Sequence, residues 1–283
     1  MIAAKQVDEV VLVAAAVTDV GLRRKANEDS FLAESPVFLV ADGMGGYEAG
    51  DKASAAVVEA FRTHVHGPQF PTLDEIREAL IAADNGVAVV ADQTERGAGS
   101  TVSGVVLVEH DGIPHWLILN VGDSRVYRHY GNELEQLTVD HSLGQELIDQ
   151  GAMRREDLAT FTERNVITRA IGAADSTADS WLMPVMNGER LMICSDGLSS
   201  EVADESIRAT LTMSGRPESA AEALVSHAKK NGGHDNITVI VLDVVSGGAA
   251  VAGEYTTGAR LHSSELGDSA LIDSSADDTT IPV

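Results

Sequence analysis

The chain has a single cysteine, few basic residues and no long apolar run, and each shortage closes off a class of function. One cysteine, Cys194, in 283 residues rules out an intramolecular disulfide and fits a reducing cytoplasm. A cysteine-based phosphate chemistry would need an arginine shortly downstream, where Ser200 stands, so Cys194 inside its apolar run reads as core packing. Lys and Arg number 20 against 44 Asp and Glu, a formal charge of −24, which argues against nucleic acid and anionic membrane as partners. The longest apolar stretch near the start, Val10 to Val17, is too short to span a bilayer. It follows Asp8 and Glu9 rather than a basic segment, so it reads as a buried first strand, not a signal peptide.

What remains is an ordinary globular composition, 44% hydrophobic and 23% charged, in a chain long enough for one large domain or two small ones. Four aspartates sit where hydrophobic strands begin or end. Val37–Ala41 runs into Asp42-Gly43, Trp116–Gly122 into Asp123, and Leu191–Ser195 into Asp196-Gly197, while Asp235-Asn236 stands just ahead of Ile237–Leu242. Any one of them is ordinary turn chemistry, since Asp caps its own backbone and Gly accepts positive φ. Four together, with Glu28-Asp29 as a fifth acidic cluster, predict a pocket of carboxylates at one sheet edge. Bare carboxylates so close would repel or protonate, so the pattern points to bound cations.

Residues 10–17, 31–40, 100–109, 115–130, 190–195 and 237–245 read as strands. Apolar spacing predicts helices over 53–64 and 73–93, the second with Thr72 as N-cap and Glu75 three residues on, and shorter helices at 143–150, 204–213 and 217–230. Strand pairs followed by helix pairs predict an α+β layered fold. From Ser246 the composition turns to Gly, Ala, Ser, Thr and Asp, so 1–245 reads as the folded domain and 246–283 as an acidic disordered tail. The tail is either a solvating extension or a regulatory segment with phosphorylatable Thr256, Thr257, Thr279 and Thr280.

Gly21-Leu22-Arg23-Arg24-Lys25-Ala26-Asn27-Glu28-Asp29, Asp42-Gly43-Met44-Gly45-Gly46, Val121-Gly122-Asp123-Ser124-Arg125, Ser195-Asp196-Gly197-Leu198 and Asp235-Asn236-Ile237-Thr238 together resemble the protein phosphatase 2C family, the metal-dependent (PPM-type) serine/threonine phosphatases. Leu137–Ser142 and Arg164–Gly172 are most similar to the bacterial members. The resemblance covers about residues 8 to 245. It implies an αββα four-layer sandwich, two antiparallel β-sheets flanked by helices, with the metals at one end of the cleft between the sheets. It further implies hydrolysis of phosphoserine and phosphothreonine by a hydroxide bridging two Mn2+ or Mg2+ ions, without a phosphoenzyme. A ligand set of carboxylate oxygens with no histidine or thiolate cluster suits those ions. By resemblance Asp42 bridges both ions, the Gly43 carbonyl ligates one, Asp196 and Asp235 hold the other, and Glu28 and Asp29 act through bound waters. Arg24 stands at the family's phosphate-clamping position. Asp123 and Asp196 either share a third ion or Asp123 only orders the loop around Ser124 and Arg125. Residues 141–165 fall where the family has a mobile flap.

Three departures bear on the acid that protonates the leaving group. Met44 replaces a histidine proposed as general acid in many eukaryotic members, Phe161-Thr162 replaces a His-Pro pair, and Tyr47 stands where His is frequent. His141 and His234 remain near the site in sequence, and a metal-bound water is the alternative. The expected partners are phosphorylated proteins, serine/threonine kinases and their substrates, for a cytoplasmic monomer. An acidic surface favours substrates with basic flanks. A pseudophosphatase that only binds a partner is the alternative, though every ligand position is filled. A two-ion phosphodiesterase or nuclease lacks the basic groove it would need.

Overall fold

The apolar runs pair antiparallel into two stacked sheets. The computed structural model describes residues 5–7, 10–45, 49–67, 69–249 and 260–262. In chain order its strands are β1 (Lys5–Val7), β2 (Val10–Asp19), β3 (Asp29–Glu34), β4 (Val37–Gly45), β5 (Ala98–Ser100), β6 (Val102–His110), β7 (Ile113–Val121), β8 (Arg125–Tyr130), β9 (Glu133–Gln136), β10 (Asp179–Pro184), β11 (Arg190–Cys194), β12 (Ile237–Ser246) and β13 (Arg260–His262). The helices are α1 (Gly50–His64), α2 (Leu73–Ala91), α3 (Leu143–Asp149), α4 (Asp196–Ser199), α5 (Asp204–Met213) and α6 (Pro217–Asn231), with a 3-10 helix at Arg155–Thr160. One sheet has the order β1-β2-β12-β11-β8-β9 and the other β13-β10-β7-β6-β4-β3, with β5 paired to β4.

Both faces of each central strand are buried, which is why these strands read as near-continuous apolar runs. Phe38 and Val40 of β4 point into a core shared with Ile240 and Leu242 of β12, between the sheets. Their neighbours Leu39 and Ala41 point the other way, against Val57 and Phe61 of α1 and Ile76 and Ala83 of α2. Val239 and Val241 likewise back onto Ile207 of α5 and Leu224 of α6. The period of two along a strand thus builds three apolar layers from two sheets, giving the helix–sheet–sheet–helix order expected. The start of α2 carries the predicted capping box: Glu75 N donates to Thr72 Oγ1 at 3.3 Å and Thr72 N donates to Glu75 Oε2 at 2.7 Å.

Two predicted strands prove to be pairs. The run 31–40 holds a turn at Ser35-Pro36 between β3 and β4, and 115–130 breaks at Gly122–Ser124, where the chain leaves one sheet as β7 and enters the other as β8. Gly122 makes that crossing with φ 108°, and a Cβ there would lie 2.6 Å from Thr101 Cγ2. Hydrophobicity alone runs through both turns and hides them. β9, β10 and the one-turn α4 carry no apolar pattern long enough to read. Within the segment read as a tail, Arg260–His262 pairs with Asp179–Trp181. Thr256, Thr257, Thr279, Thr280 and Tyr47 lie outside the described residues.

Residues 141–165 leave the body and return at one pinned base. Ser142 bridges Ile167, Leu143 N donates to Val166 O at 2.8 Å and Thr168 N donates to His141 O at 2.8 Å. His141, buried, joins this base to the sheet crossing. Its backbone N donates to Gly122 O at 2.9 Å, and Gly122 N donates to its Nδ1 at 3.1 Å. Because a backbone N–H can only donate, Nδ1 is the bare nitrogen and Nε2 carries the proton, 3.4 Å from Asp179 Oδ2. His141→Leu strands the buried Gly122 N–H and is expected to cost about 1–3 kcal/mol, seen as a lower Tm. His141→Asn, with an acceptor in nearly the same place, should recover part of it. Equal Tm for Leu and wild type would show that this bond contributes nothing.

Candidate metal centre and active site

The register of β3 and β4 sets Asp29 directly opposite Asp42. Like charges so placed repel, so backbone and hydroxyl groups must hold them there. β4 continues past Asp42 through Gly45, and Gly43 N donates to Glu28 O at 3.1 Å. A Cβ on Gly43 would stand 2.0 Å from Gly50 O, so only glycine lets the start of α1 press against this strand. Ser54 of α1 completes the clasp, its Oγ donating to Glu28 O at 2.6 Å.

Thr101 and Ser124 tie Asp42 to the sheet crossing. Asp42 N donates to Thr101 Oγ1 at 3.0 Å, and Thr101 Oγ1 and Ser124 Oγ are 2.8 Å apart. Asp123 stands between Gly122 and Ser124, so it arrives beside Asp42. From the other sheet, Ser195 Oγ and Thr238 Oγ1 donate to Asp29 Oδ2 at 2.8 and 2.7 Å. These two hydroxyls each stand within a few residues of Asp196 and Asp235. Asn236 binds Glu28 N through Oδ1 at 2.8 Å, and its amide donates to Val20 O and Ala26 O at 3.0 and 2.9 Å. That one side chain fixes the loop carrying Arg24 and Glu28 against the start of β12.

The result is a cleft of about 280 Å3 walled by Arg24, Glu28, Asp42, Asp123, Asp196 and Asp235, with Gly43 and Met44 at its floor. The sequence placed Asp29 with these, and it stands behind the wall, held by its two hydroxyls. Asn165 and Ile167, from the return of the 141–165 excursion, also line the cleft; the sequence marked them only as part of the Arg164–Gly172 motif and not as site residues, since neither side chain carries a charge.

Burial and mutual repulsion push these acids up. Burial, with Asp196 and Asp235 adding repulsion against the pull of two hydroxyls, raises Asp29 to about 7. Burial with Asp196 and Asp140 nearby raises Asp123 to about 8, and burial with Asp235 raises Asp196 to about 6. Burial and the surrounding aspartates hold Asp42 well above the ordinary range, and burial raises Glu28 despite Arg24. Arg24 is pushed up by its hydrogen bond to Asp235, Nη2 to Oδ2 at 2.6 Å. Half of the Arg24 side chain remains exposed, at 50%.

A divalent cation fits this donor set. Asp29 Oδ1 and Asp196 Oδ1 are buried with no hydrogen-bond partner. Oxygen-only ligands among acids whose pKa values are raised by burial and mutual repulsion are what Mg2+ or Mn2+ would relieve. Among the described residues no three His, Cys, Asp or Glu side chains already converge as a finished ligand set. The reason is visible in the pairing: Asp235 leans onto Arg24 and Asp29 onto its hydroxyls. Neither histidine named as an acid lines the cleft. His141 is buried with both ring nitrogens engaged, and His234, 65% exposed, has Nδ1 2.5 Å from Glu201 Oε1. Cys194 is buried in the core, and burial pushes its thiol up to about 12, which removes it as a nucleophile.

These raised acids give stability a pH signature. An acid whose folded pKa exceeds its unfolded value of about 3.8 contributes its full stabilisation below that value and loses it as pH rises through the folded one. Metal-free protein is therefore expected to lose stability progressively between about pH 4 and pH 8, the span from the unfolded value to that of Asp123. Mn2+ should restore more Tm at pH 8 than at pH 5. Melting curves with EDTA or Mn2+ across this range check it, and a flat metal-free profile would rule it out.

A family model described as protein phosphatase 2C matches residues 23–237. The serine/threonine protein phosphatase PstP of Mycobacterium tuberculosis is 35% identical over 241 residues, taking in 83% of this chain and 45% of its own length, so the chain spans less than half of that protein. The serine/threonine phosphatase stp of Listeria welshimeri is 32% identical over 239 residues, 80% of this chain and 93% of its own. The solved catalytic domain of PstP in complex with two manganese ions superposes with a TM-score of 0.75 at 32% identity, covering 84% of this chain and 100% of that one. With the strand-end aspartates, the two-sheet sandwich and these matches in agreement, the chain belongs to the protein phosphatase 2C family.

Proposed function

We propose that the chain is a protein-serine/threonine phosphatase that uses two Mn2+ or Mg2+ ions, opposes serine/threonine kinases and acts as a cytoplasmic monomer. The observation that carries this is the cleft itself: aspartates delivered from both sheets, Asp196 among them with an unpartnered buried oxygen, facing a half-exposed guanidinium. The named relatives are serine/threonine phosphatases, and one was solved with manganese.

Asp42, the Gly43 carbonyl, Asp196 and Asp235 would hold the two ions. Asp123 with Asp196 offers a place for a third, and Glu28 and Asp29 steady the set from the side and from behind. When bound, the ions supply a nucleophilic water at neutral pH and neutralise the phosphoryl group as it transfers. Arg24 grips two phosphate oxygens and turns the phosphorus toward the acidic wall, which a planar guanidinium does better than an ammonium. Met44 at the floor adds no acid. Among the described residues lining the cleft there is no histidine to protonate the departing alkoxide. Residues 1–245 are the catalytic unit.

Phosphate release from a phosphothreonine peptide, with Mn2+, Mg2+ or EDTA, tests the reading. Turnover should need the metal and fall by about 100-fold or more in Asp196→Ala, since even partners of a metal ligand cost 10–100-fold. Arg24→Ala should retain metal binding and lose phosphopeptide turnover chiefly through KM. Absence of turnover with every metal would leave a binding domain of the same fold.

A further inference from the structure

Arg24 rides on a loop whose two ends are held by one amide group. Asn236 Nδ2 donates one proton to Val20 O at 3.0 Å and the other to Ala26 O at 2.9 Å. A single nitrogen thus closes residues 20–26 into a ring, with Arg24 on its arc. Oδ1 of the same side chain accepts from Glu28 N at 2.8 Å. Two donors and an acceptor are engaged on a residue that is only 4% exposed.

The ring has one further anchor, on its first limb. Gly21 N donates to Asp19 Oδ1 at 2.8 Å and Leu22 N to Gly233 O at 2.7 Å. A Cβ on Gly21 would stand 2.1 Å from Asp235 O, so this limb packs directly on the backbone ahead of β12. Among the described residues no backbone hydrogen bond reaches Arg23, Arg24 or Lys25. The returning limb therefore depends on the bond from Asn236 to Ala26. Asn236 also touches the other member of the ion pair, since its backbone N donates to Asp235 Oδ1 at 2.8 Å. The same residue orients the carboxylate through its backbone and places the arginine's loop through its side chain.

We propose that Asn236 is a positioning residue for phosphate binding, setting where the Arg24 guanidinium stands relative to the acids of the cleft. The assignment rests on the reading of Arg24 as the phosphate clamp. A guanidinium on a closed ring loses less conformational freedom when it binds than one on a slack loop, and its two donors stay aimed at one place. Stability and positioning leave different traces. A residue that only holds the fold together changes phosphate affinity to the same degree with or without Arg24, whereas one that acts through the guanidinium matters only while the guanidinium is present.

Full-length chain saturated with Mn2+ is titrated with a fluorescent peptide carrying a non-hydrolysable phosphonate in place of phosphothreonine. Wild type, Asn236→Ser, Arg24→Ala and the double variant are compared by anisotropy, below every melting midpoint. Arg24→Ala should weaken binding about 10-fold or more, the scale of a charge-assisted hydrogen bond. Asn236→Ser should weaken it about 5-fold with Arg24 present and less than about 2-fold in the Arg24→Ala background. Should the serine variant fail to fold, Asn236→Thr, better suited to the start of a strand, carries the same comparison. Unchanged affinity in the Asn236 variant, or an equal loss in both backgrounds, would overturn the assignment and leave the clamp standing. Unchanged affinity in Arg24→Ala would overturn both. Turnover of the matching phosphothreonine peptide, followed in parallel, tests the phosphatase reading alone. Its absence with the four affinities in the expected order sinks that reading and spares Asn236.

Discussion

Repulsion among carboxylates is the constraint around which this molecule is arranged. Asp29 and Asp42 face each other across a strand pair, and Asp123, Asp196 and Asp235 are brought to the same end of the sandwich. Nothing in the hydrophobic layers favours that convergence, and every Coulomb term among the acids opposes it. The fold supplies rigidity instead of attraction. Thr101, Ser124, Ser195, Thr238 and Asn236 bind backbone, carboxylate and hydroxyl groups at 2.7–3.0 Å and hold the acid-bearing segments in place. The remaining cost appears as raised pKa values at Asp29, Asp123 and Asp196. Strain of this kind, stored in rigid scaffolding, is common where a protein prepares a place for a cation.

The sandwich explains why the acids can come from so many places in the chain. Asp42 lies in one sheet, Asp196 and Asp235 flank strands of the other, and Asp123 lies on the crossing between them. The intersheet core around Phe38, Trp116, Ile118, Leu191 and Ile240 fixes the spacing of the sheets and therefore of the carboxylates. His141 then fastens the crossing to the base of the 141–165 excursion, so the crossing that carries Asp123 is anchored from both sides.

Much of this could be read in advance, because an apolar run ending in aspartate is a local signal. The strand-end acids, the capped α2 and the buried Cys194 all rest on patterns contained within a few residues, whereas the two-sheet sandwich was implied by the family resemblance. The turns at Ser35-Pro36 and Gly122–Ser124 were hidden because hydrophobicity is continuous through them while the pairing partner changes. Asp29 was grouped with the cleft acids because nothing in its neighbourhood announces Ser195 and Thr238, which come from the other sheet. The same holds for Thr101 and for Asn165: a hydroxyl or amide has no meaning as a scaffold until the fold has chosen its partner. His141 was open to two readings, a proton donor or a structural group. Histidine near acids suggests proton transfer, and only its buried surroundings turn it into a bracket.

The pairing of Arg24 with Asp235 has a thermodynamic consequence of its own. Each is the other's occupant: Arg24 is a surrogate cation for the carboxylate, and Asp235 a surrogate anion for the guanidinium. A cation that claims Asp235 releases the arginine, and an anion that claims Arg24 releases the aspartate. By linkage the two ligands must then promote each other's binding by the same factor, whichever arrives first. If Asp235 holds a metal and Arg24 a phosphate as proposed, cooperativity between the two would follow from this one ion pair, with no movement of the scaffold required.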